Sequence, residues 1–362
     1  MSTIKAPRYR RSRYLVLYWS GEQAILLNAH TLRGHAVHPN LIAFLSKLND
    51  WSNAEQVTAA NRSVEPNELG ELHELGLLET EEEVAVRGST SFEWDPIELA
   101  VQRRTSRGGY WPDLQSSVPS VIGPRFADRP ATELPSPKTL RGVKLEDALR
   151  KRRSVRNYGG RPLRLDELST LLYHSARVVK CVSDVRCGDR MLRPFPTAGA
   201  RSELETFVLS VDICGLEPGA YYYDALHHRL LMIRIWDEHQ ERILRSVHAA
   251  AGGKLNRDPA LVLLITAIFE RLMWKYRDLS LSLIYKDVGS FFQTLYLVAT
   301  ALNLAPCAIG SGDEAENSEW LGLDPLRESQ VGCFVCGPRG RQTRELRQLD
   351  IRGNNRRDNL HA

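Results

Sequence analysis

The stretch DVGSFFQTLYLVATALNLAPCAIG, residues 287–310, decides the fold class. From Asp287 to Leu302 it is strongly apolar on all sides of a helix, which predicts a helix buried in a core. Pro306 to Gly310 then reads as a strand, and so does Val331 to Cys336. Leu261 to Ala267 (LVLLITA) is a continuous apolar run suited to a central strand covered on both faces. Leu204 to Val211 and Gly219 to Tyr223 add strands. Leu165 to Val178 is an amphipathic helix with Asp166 and Glu167 in its first turn, where negative charge complements the helix dipole. LEDALRKRRSVR, residues 145–156, is helical by propensity, with Leu145, Ala148 and Leu149 on one face. Alternating helices and strands predict an α+β layered architecture, an antiparallel-rich sheet with a central buried helix.

The N-terminal part has a different grammar. RYLVLYWSGEQAILLN, residues 13–28, reads as a hairpin around Ser20-Gly21-Glu22. Leu41, Phe44, Leu45 and Leu48 recur at helical spacing, a second helix is predicted over 53–61, and a third starts at Pro66 and ends at Gly76. LLETEEEVAV then reads as a strand. This order resembles a winged-helix unit. Residues 86–142 are rich in Pro, Ser, Gly and Arg and read as a linker that wraps a neighbour. The predicted organisation is a winged-helix-like domain over 1–85, the linker over 86–142, an α+β domain over 143–345, and a basic tail over 346–362.

The chain of 362 residues carries a net charge of +4, too little for a dedicated nucleic-acid binder. NELGELHEL, residues 67–75, is acidic where a DNA reader needs a cationic helix. No run of 18 apolar residues predicts a membrane span, and MSTIKAPRYRRSRY does not read as a signal peptide, so the cytoplasm is expected. The six cysteines are too few for a disulfide scaffold. Cys333 and Cys336 have CxxC spacing, but residues three apart in a strand point to opposite faces, so no metal or redox role is expected.

Two segments carry chemistry. Arg152-Arg153-Ser154-Val155-Arg156 places three guanidinium groups and a hydroxyl within one or two helical turns. That is either a solvated basic helix end or a phosphate grip, since arginine suits bidentate phosphate recognition. Pro196-Thr197-Ala198-Gly199-Ala200 is a small-residue loop that lets a flat ring approach the backbone, or an ordinary turn. Ile309-Gly310-Ser311-Gly312 adds bare backbone, and GPRGR at 337–341 adds Arg339 and Arg341.

As an ordered set, RRSVR (152–156), PTAGARSELE (196–205), PGAYYYD (218–224), WKYRD (274–278) and the 287–310 stretch resemble the nitroreductase-like flavoproteins. The similarity is greatest to the SagB-type dehydrogenases, which oxidise azoline rings in ribosomally made peptides. It covers residues from about 143 to 341, and the first 85 residues resemble the winged-helix peptide-recognition module fused to that branch. The resemblance implies a homodimer with FMN at the subunit interface. Arg152, Arg153, Ser154 and Arg156 would grip the phosphate, and Arg339 or Arg341 would complete that grip. Pro196, Thr197, Ala198 and Gly199 would line the isoalloxazine, and Gln293, Ile309, Gly310 and Ser311 would also touch FMN. Lys275 and Tyr276 stand where the branch has its catalytic base pair. A precursor peptide as substrate and a YcaO-type cyclodehydratase as partner follow by the same resemblance. The chain departs from the branch at Ala200, at Ser282, and at Asp287-Val288-Gly289-Ser290 in place of a Glu-x-Gly-His string. Two further function classes stay open: a small-molecule NAD(P)H-dependent nitroreductase or flavin reductase, and a non-enzymatic peptide-binding scaffold.

Overall fold

Strands built from runs such as LVLLITAI can be covered on both faces, and in the computed structural model they are. The structure describes residues 6–60, 65–87, 94–106, 118–140, 142–183, 188–310, 312 and 314–341. It divides into two compact units, Met1–Tyr110 and Trp111–Ala362. Elements of the second unit are numbered within it: β1 (Ala131–Glu133), α1 (Leu145–Lys151), α2 (Leu165–Ala176), β2 (Leu204–Ser210), β3 (Gly219–Asp224), β4 (Arg229–Ile235), α3 (Glu238–Ala250), β5 (Leu261–Ile268), α4 (Glu270–Tyr276), α5 (Ser280–Ala301), β6 (Leu304–Ile309), α6 (Glu314–Trp320) and β7 (Glu328–Pro338).

The seven strands form one sheet in the order β6-β7-β5-β2-β3-β4-β1, with every neighbouring pair antiparallel. Side chains alternate between two cores, as the strand period requires. Leu263 and Ile265 point into one, with Leu168 and Leu171 of α2 and Val288, Phe291 and Leu295 of α5. Val262 and Leu264 point into the other, with Ile243, Leu244 and Val247 of α3. The fold is α+β with an antiparallel sheet between helical layers. No helix among the described residues is long and apolar enough to cross a membrane.

Several expectations need correction. The helix over 145–156 stops at Lys151, and Arg152 leaves the helical region with φ −53° and ψ 123°. The chain is drawn off because the Val155 N–H donates to the Pro306 carbonyl at 2.8 Å, beside the sheet edge. Leu145 and Leu149 are 66% and 50% exposed, and only Ala148 of the expected face is buried. Helix α5 starts at Ser280 and is not buried all round, since Gly289 and Gln293 are exposed on its outer face. The 86–142 stretch is more structured than a linker. It holds a helix, Pro96–Ser106, whose Leu99 and Ala100 pack with Ala29 in the first unit, and it supplies β1 to the second.

In the first unit the hairpin Leu15–Ser20 and Gln23–Asn28 turns at Gly21-Glu22 as read, and Arg33–Ala36 extends it. Helices Pro39–Leu45, Ala54–Ala60 and Pro66–Glu74 surround a core of Phe44, Leu45, Leu69 and Leu77. The expected strand after Gly76 is short, Leu78–Thr80, and pairs with Arg8–Arg11. The next residues, Glu81–Arg87, are helical. Thr80 Oγ accepts the Glu83 N–H at 3.4 Å, and Glu83 accepts the Thr80 N–H at 3.5 Å. That reciprocal cap, with three acids in the first turn, favours a helix over a strand.

Cys333 and Cys336 lie in different cores, on opposite faces of β7. Burial pushes both thiols up to about 12. Phe291 of α5 is 1% exposed and stacks on Phe195 with ring centroids 4.2 Å apart. Truncating it leaves a void that the close-packed core cannot fill. Phe291→Ala is expected to cost about 3–5 kcal/mol, read as a lowered urea midpoint with an unchanged m-value.

Candidate functional site

Arg152 to Asn157 run without regular secondary structure because both neighbours claim their backbone. Val155 is tied to Pro306 of β6, Gly340 N–H donates to the Asn157 carbonyl at 2.9 Å, and Gly159 N–H donates to the Pro338 carbonyl at 2.8 Å. A Cβ on Gly340 would stand 2.6 Å from Asn157 Oδ1 and 3.1 Å from the Asn157 carbonyl oxygen, so a side chain here would have to push Asn157 aside. Asn157 Nδ2 also donates to the Arg341 carbonyl at 2.8 Å. The two arginine segments, 189 residues apart between Arg152 and Arg341, are thus stitched into one structure. They line a cleft of about 990 Å³ with Arg150, Lys151, Arg153, Arg156 and Arg339 as its cations and Asp147 as its acid. The Arg150 hydrogen bond at 2.8 Å holds the Asp147 carboxyl below the usual range. Arg156 Nε is buried with no hydrogen-bond partner among the described residues. A buried cationic donor without an acceptor is costly unless an anion completes it.

Tyr296 of α5 organises this end. Its hydroxyl accepts the Ala308 N–H at 2.7 Å and lies 2.7 Å from Ser154 Oγ. The Arg152 guanidinium sits 5.4 Å from its ring centroid.

The second cluster is the turn after Phe195. Gly199, Ala200 and Ser202 all have left-handed backbone, with φ of 62°, 55° and 49°. Two of the three carry side chains, so the turn stores strain that its surroundings must hold. Ala198 N–H donates to Asp287 Oδ2 at 2.6 Å. Arg193 Nε donates to Ser202 Oγ at 2.7 Å, and Arg271 Nη1 donates to the Ser202 carbonyl at 2.6 Å. Both arginines also face Glu205, at 3.8 and 2.8 Å. Burial works against the Glu205 charge, but Arg271, Arg125 and Arg193 together hold its carboxyl below the usual range.

Lys275 and Tyr276 close α4, and Arg277 after them has φ 41° and ψ −115°, which breaks the helix. Neighbours on a regular helix do not face one direction. Here both reach the same place: a Cβ on Gly199 would stand 2.7 Å from Tyr276 Oη and 3.2 Å from Lys275 Nζ. Lys275 Nζ also lies 5.2 Å from the Tyr276 ring centroid. The side-chain-free residue of this left-handed turn, Gly199, faces an amine and a phenol.

A family model described as the nitroreductase family matches residues 149–338, more than half of the chain. The chain belongs to the nitroreductase family. MJ1384 of Methanocaldococcus jannaschii, described as a nitroreductase, is 35% identical over 192 residues, which are 52% of this chain and 91% of that protein. The trifolitoxin-processing protein TfxB of Rhizobium leguminosarum bv. trifolii is 30% identical over 175 residues, 48% of this chain and 47% of TfxB. The chain thus spans about half the length of TfxB. Among solved structures, one chain of the Escherichia coli microcin synthetase McbBCD complex with truncated pro-MccB17 matches 68% of this chain and 95% of its own at 19% identity, with a TM-score of 0.45. A nitroreductase from Anabaena variabilis matches 59% of this chain and 42% of its own at 27% identity, with a TM-score of 0.46.

The structure of this nitroreductase-family chain sorts the expected residues. Ser154, Arg156, Arg339 and Arg341 come together around one cleft or the backbone that builds it, though not within helical turns. Arg153 lines that cleft but folds back, donating to the Arg150 and Arg152 carbonyls at 2.9 and 2.7 Å. Pro196 to Gly199, Lys275 and Tyr276 meet at the second cluster. Ile309 is buried in the sheet and offers only backbone, Gly310 is exposed beyond it, and Ser311 lies outside the described residues. Gln293 lies on the outer face of α5, in neither cluster. Tyr296, Asp287 and Glu203 are absent from the expected set. Tyr296 is hidden in an apolar run, Asp287 shows only as a departure from a motif, and Glu203 lies unremarked inside PTAGARSELE. Tyr296→Phe leaves the Ala308 N–H without its acceptor and is expected to cost about 1–3 kcal/mol, measured by thermal unfolding against the parent protein.

Proposed function

We propose that the protein is an FMN-dependent dehydrogenase of the SagB type, which oxidises azoline rings in a ribosomally made peptide. The observation that carries the reading is the Gly199 turn facing Lys275 Nζ and Tyr276 Oη. The residues present fit FMN. The cation-lined cleft and the orphan Arg156 Nε suit its phosphate, and the bare turn suits the face of its ring system. Arg152, Ser154, Arg156 and Arg339 would hold the phosphate, with Ser154 presented by Tyr296. Pro196 to Gly199 would lie against the isoalloxazine.

The reaction removes two hydrogens from adjacent carbons of the ring. Bound FMN supplies a two-electron acceptor for a hydride, and the remaining proton needs a base. Lys275 Nζ and Tyr276 Oη, side by side at the Gly199 turn, are the groups placed to take it.

Tyr296 and Asp287, which serve the two clusters, are nine residues apart on α5, roughly two and a half helical turns. They therefore flank the sheet-facing stripe on opposite sides. One chain offers two half-sites, and a second copy would complete each. The exposed outer face of α5, with Gly289 and Gln293, suits that contact. A precursor peptide as substrate and a YcaO-type cyclodehydratase as partner belong to this reading. TfxB is named as a trifolitoxin-processing protein, which is consistent with this reading. A small-molecule nitroreductase is the second reading, favoured by the similarity to MJ1384 along 91% of that protein.

The test uses FMN-loaded protein and an azoline-bearing peptide, with loss of two hydrogens per ring followed by mass spectrometry. Lys275→Ala is expected to keep its yellow flavin spectrum and lose about 10²–10⁴-fold in peptide oxidation. Full turnover by that variant removes the assigned base pair. Bleaching by NADH with turnover of a nitroarene, and no response to the peptide, favours the second reading.

A further inference from the structure

Glu203 is fully buried immediately before β2, and neither of its carboxyl oxygens has a hydrogen-bond donor among the other described groups. Its neighbour is another carboxyl, that of Asp287 on α5. Two carboxylates cannot hydrogen-bond to each other, so this contact needs a proton between them. Asp287 already accepts the Ala198 N–H at 2.6 Å, which it does best as the ionised member. Glu203 is then the protonated one, donating to Asp287. Burial, and then the Asp287 carboxyl, push Glu203 up to about 9. Few cations offset the pair. Arg271 of α4 faces Glu203 but is committed to Glu205 and the Ser202 carbonyl, and Lys286 is the cation beside Asp287 on its own helix. Across the turn stand Lys275 and Tyr276, and Arg193 is bound to Ser202 Oγ.

We propose that Glu203 and Asp287 are positioning residues for the flavin-facing turn: one shared proton locks Asp287 onto the Ala198 N–H and so holds the strained Gly199 backbone in place. This rests on the FMN reading above, but the lock itself belongs to the empty protein as well. When Glu203 ionises, two buried carboxylates face each other and the turn is released.

Two measurements on the full chain separate the lock from the cofactor reading. The first is the FMN dissociation constant by flavin fluorescence at pH 7 and pH 9.5. If only the locked form binds, the apparent affinity follows the fraction still protonated, a loss of roughly fourfold between the two pH values. Glu203→Gln keeps a neutral donor and is expected to bring that ratio close to one. Asp287→Ala, which removes the acceptor, weakens FMN at both pH values and also flattens the ratio. The second is the melting temperature of FMN-free protein against pH. A carboxyl kept neutral when folded, but ionised when unfolded above its ordinary value, makes stability fall as pH rises from about 4.5 to about 9. Glu203→Gln is expected to remove that part of the slope. Equal slopes and equal ratios in the parent and Glu203→Gln overturn the lock. No FMN binding at pH 7, with the difference in melting slope intact, keeps the lock and overturns the cofactor reading.

Discussion

Pressed against the antiparallel sheet by Ile284, Val288, Phe291, Leu295 and Ala299, helix α5 is the constraint on which the rest of the second unit depends. Its sheet-facing stripe fixes its rotation, and that rotation sends Asp287 to one side and Tyr296 to the other. The carboxyl holds a strained turn, and the hydroxyl holds a serine between two arginines. Neither cluster is built from adjacent residues. Each is assembled by one atom of a buried helix meeting a segment that has left its regular structure. Loss of packing under α5 would therefore displace both clusters at once.

The sheet and its central helix were legible because their signals are local. LVLLITA and SFFQTLYLVATAL state their burial in a dozen residues. The candidate site was legible only as four separate segments. RRSVR looked helical because arginine favours helices, and nothing local reveals that Pro306 claims the Val155 N–H. Glu81–Arg87 lies in a stretch, LLETEEEVAV, that reads as a strand, although Thr80 and Glu83 supply a helix cap. Arg125 sits in a proline-rich stretch that reads as a linker, yet its guanidinium meets Glu328 and Glu205 in the interior. The Glu203–Asp287 contact joins positions 84 residues apart, and a sequence cannot show a proton shared across that distance.

The charges behind the turn do a different job from those in the open cleft. Glu205, Arg271 and Arg193 are less than a tenth exposed, and each is met by opposite charge or by several hydrogen bonds. Taking such groups out of water is costly, and a hydrophobic set of similar volume often stabilises a core as well. Their return lies in direction. Two planar guanidinium forks, each tied to Ser202 and to one carboxylate, leave the left-handed residues little freedom. The open cleft is the reverse case, with cations in excess over acid and a donor that no group among the described residues satisfies.

The two thiols of β7 give the fold an internal clock. Cys333 sits under the layer that holds α3, and Cys336 under the layer that holds α2 and α5. Both are protonated and inaccessible in the native state, so an alkylating reagent must wait for its own layer to open. Two residues of one strand separate the two reporters. Their labelling rates would distinguish a sheet that sheds one helical layer first from one that loses both in a single event.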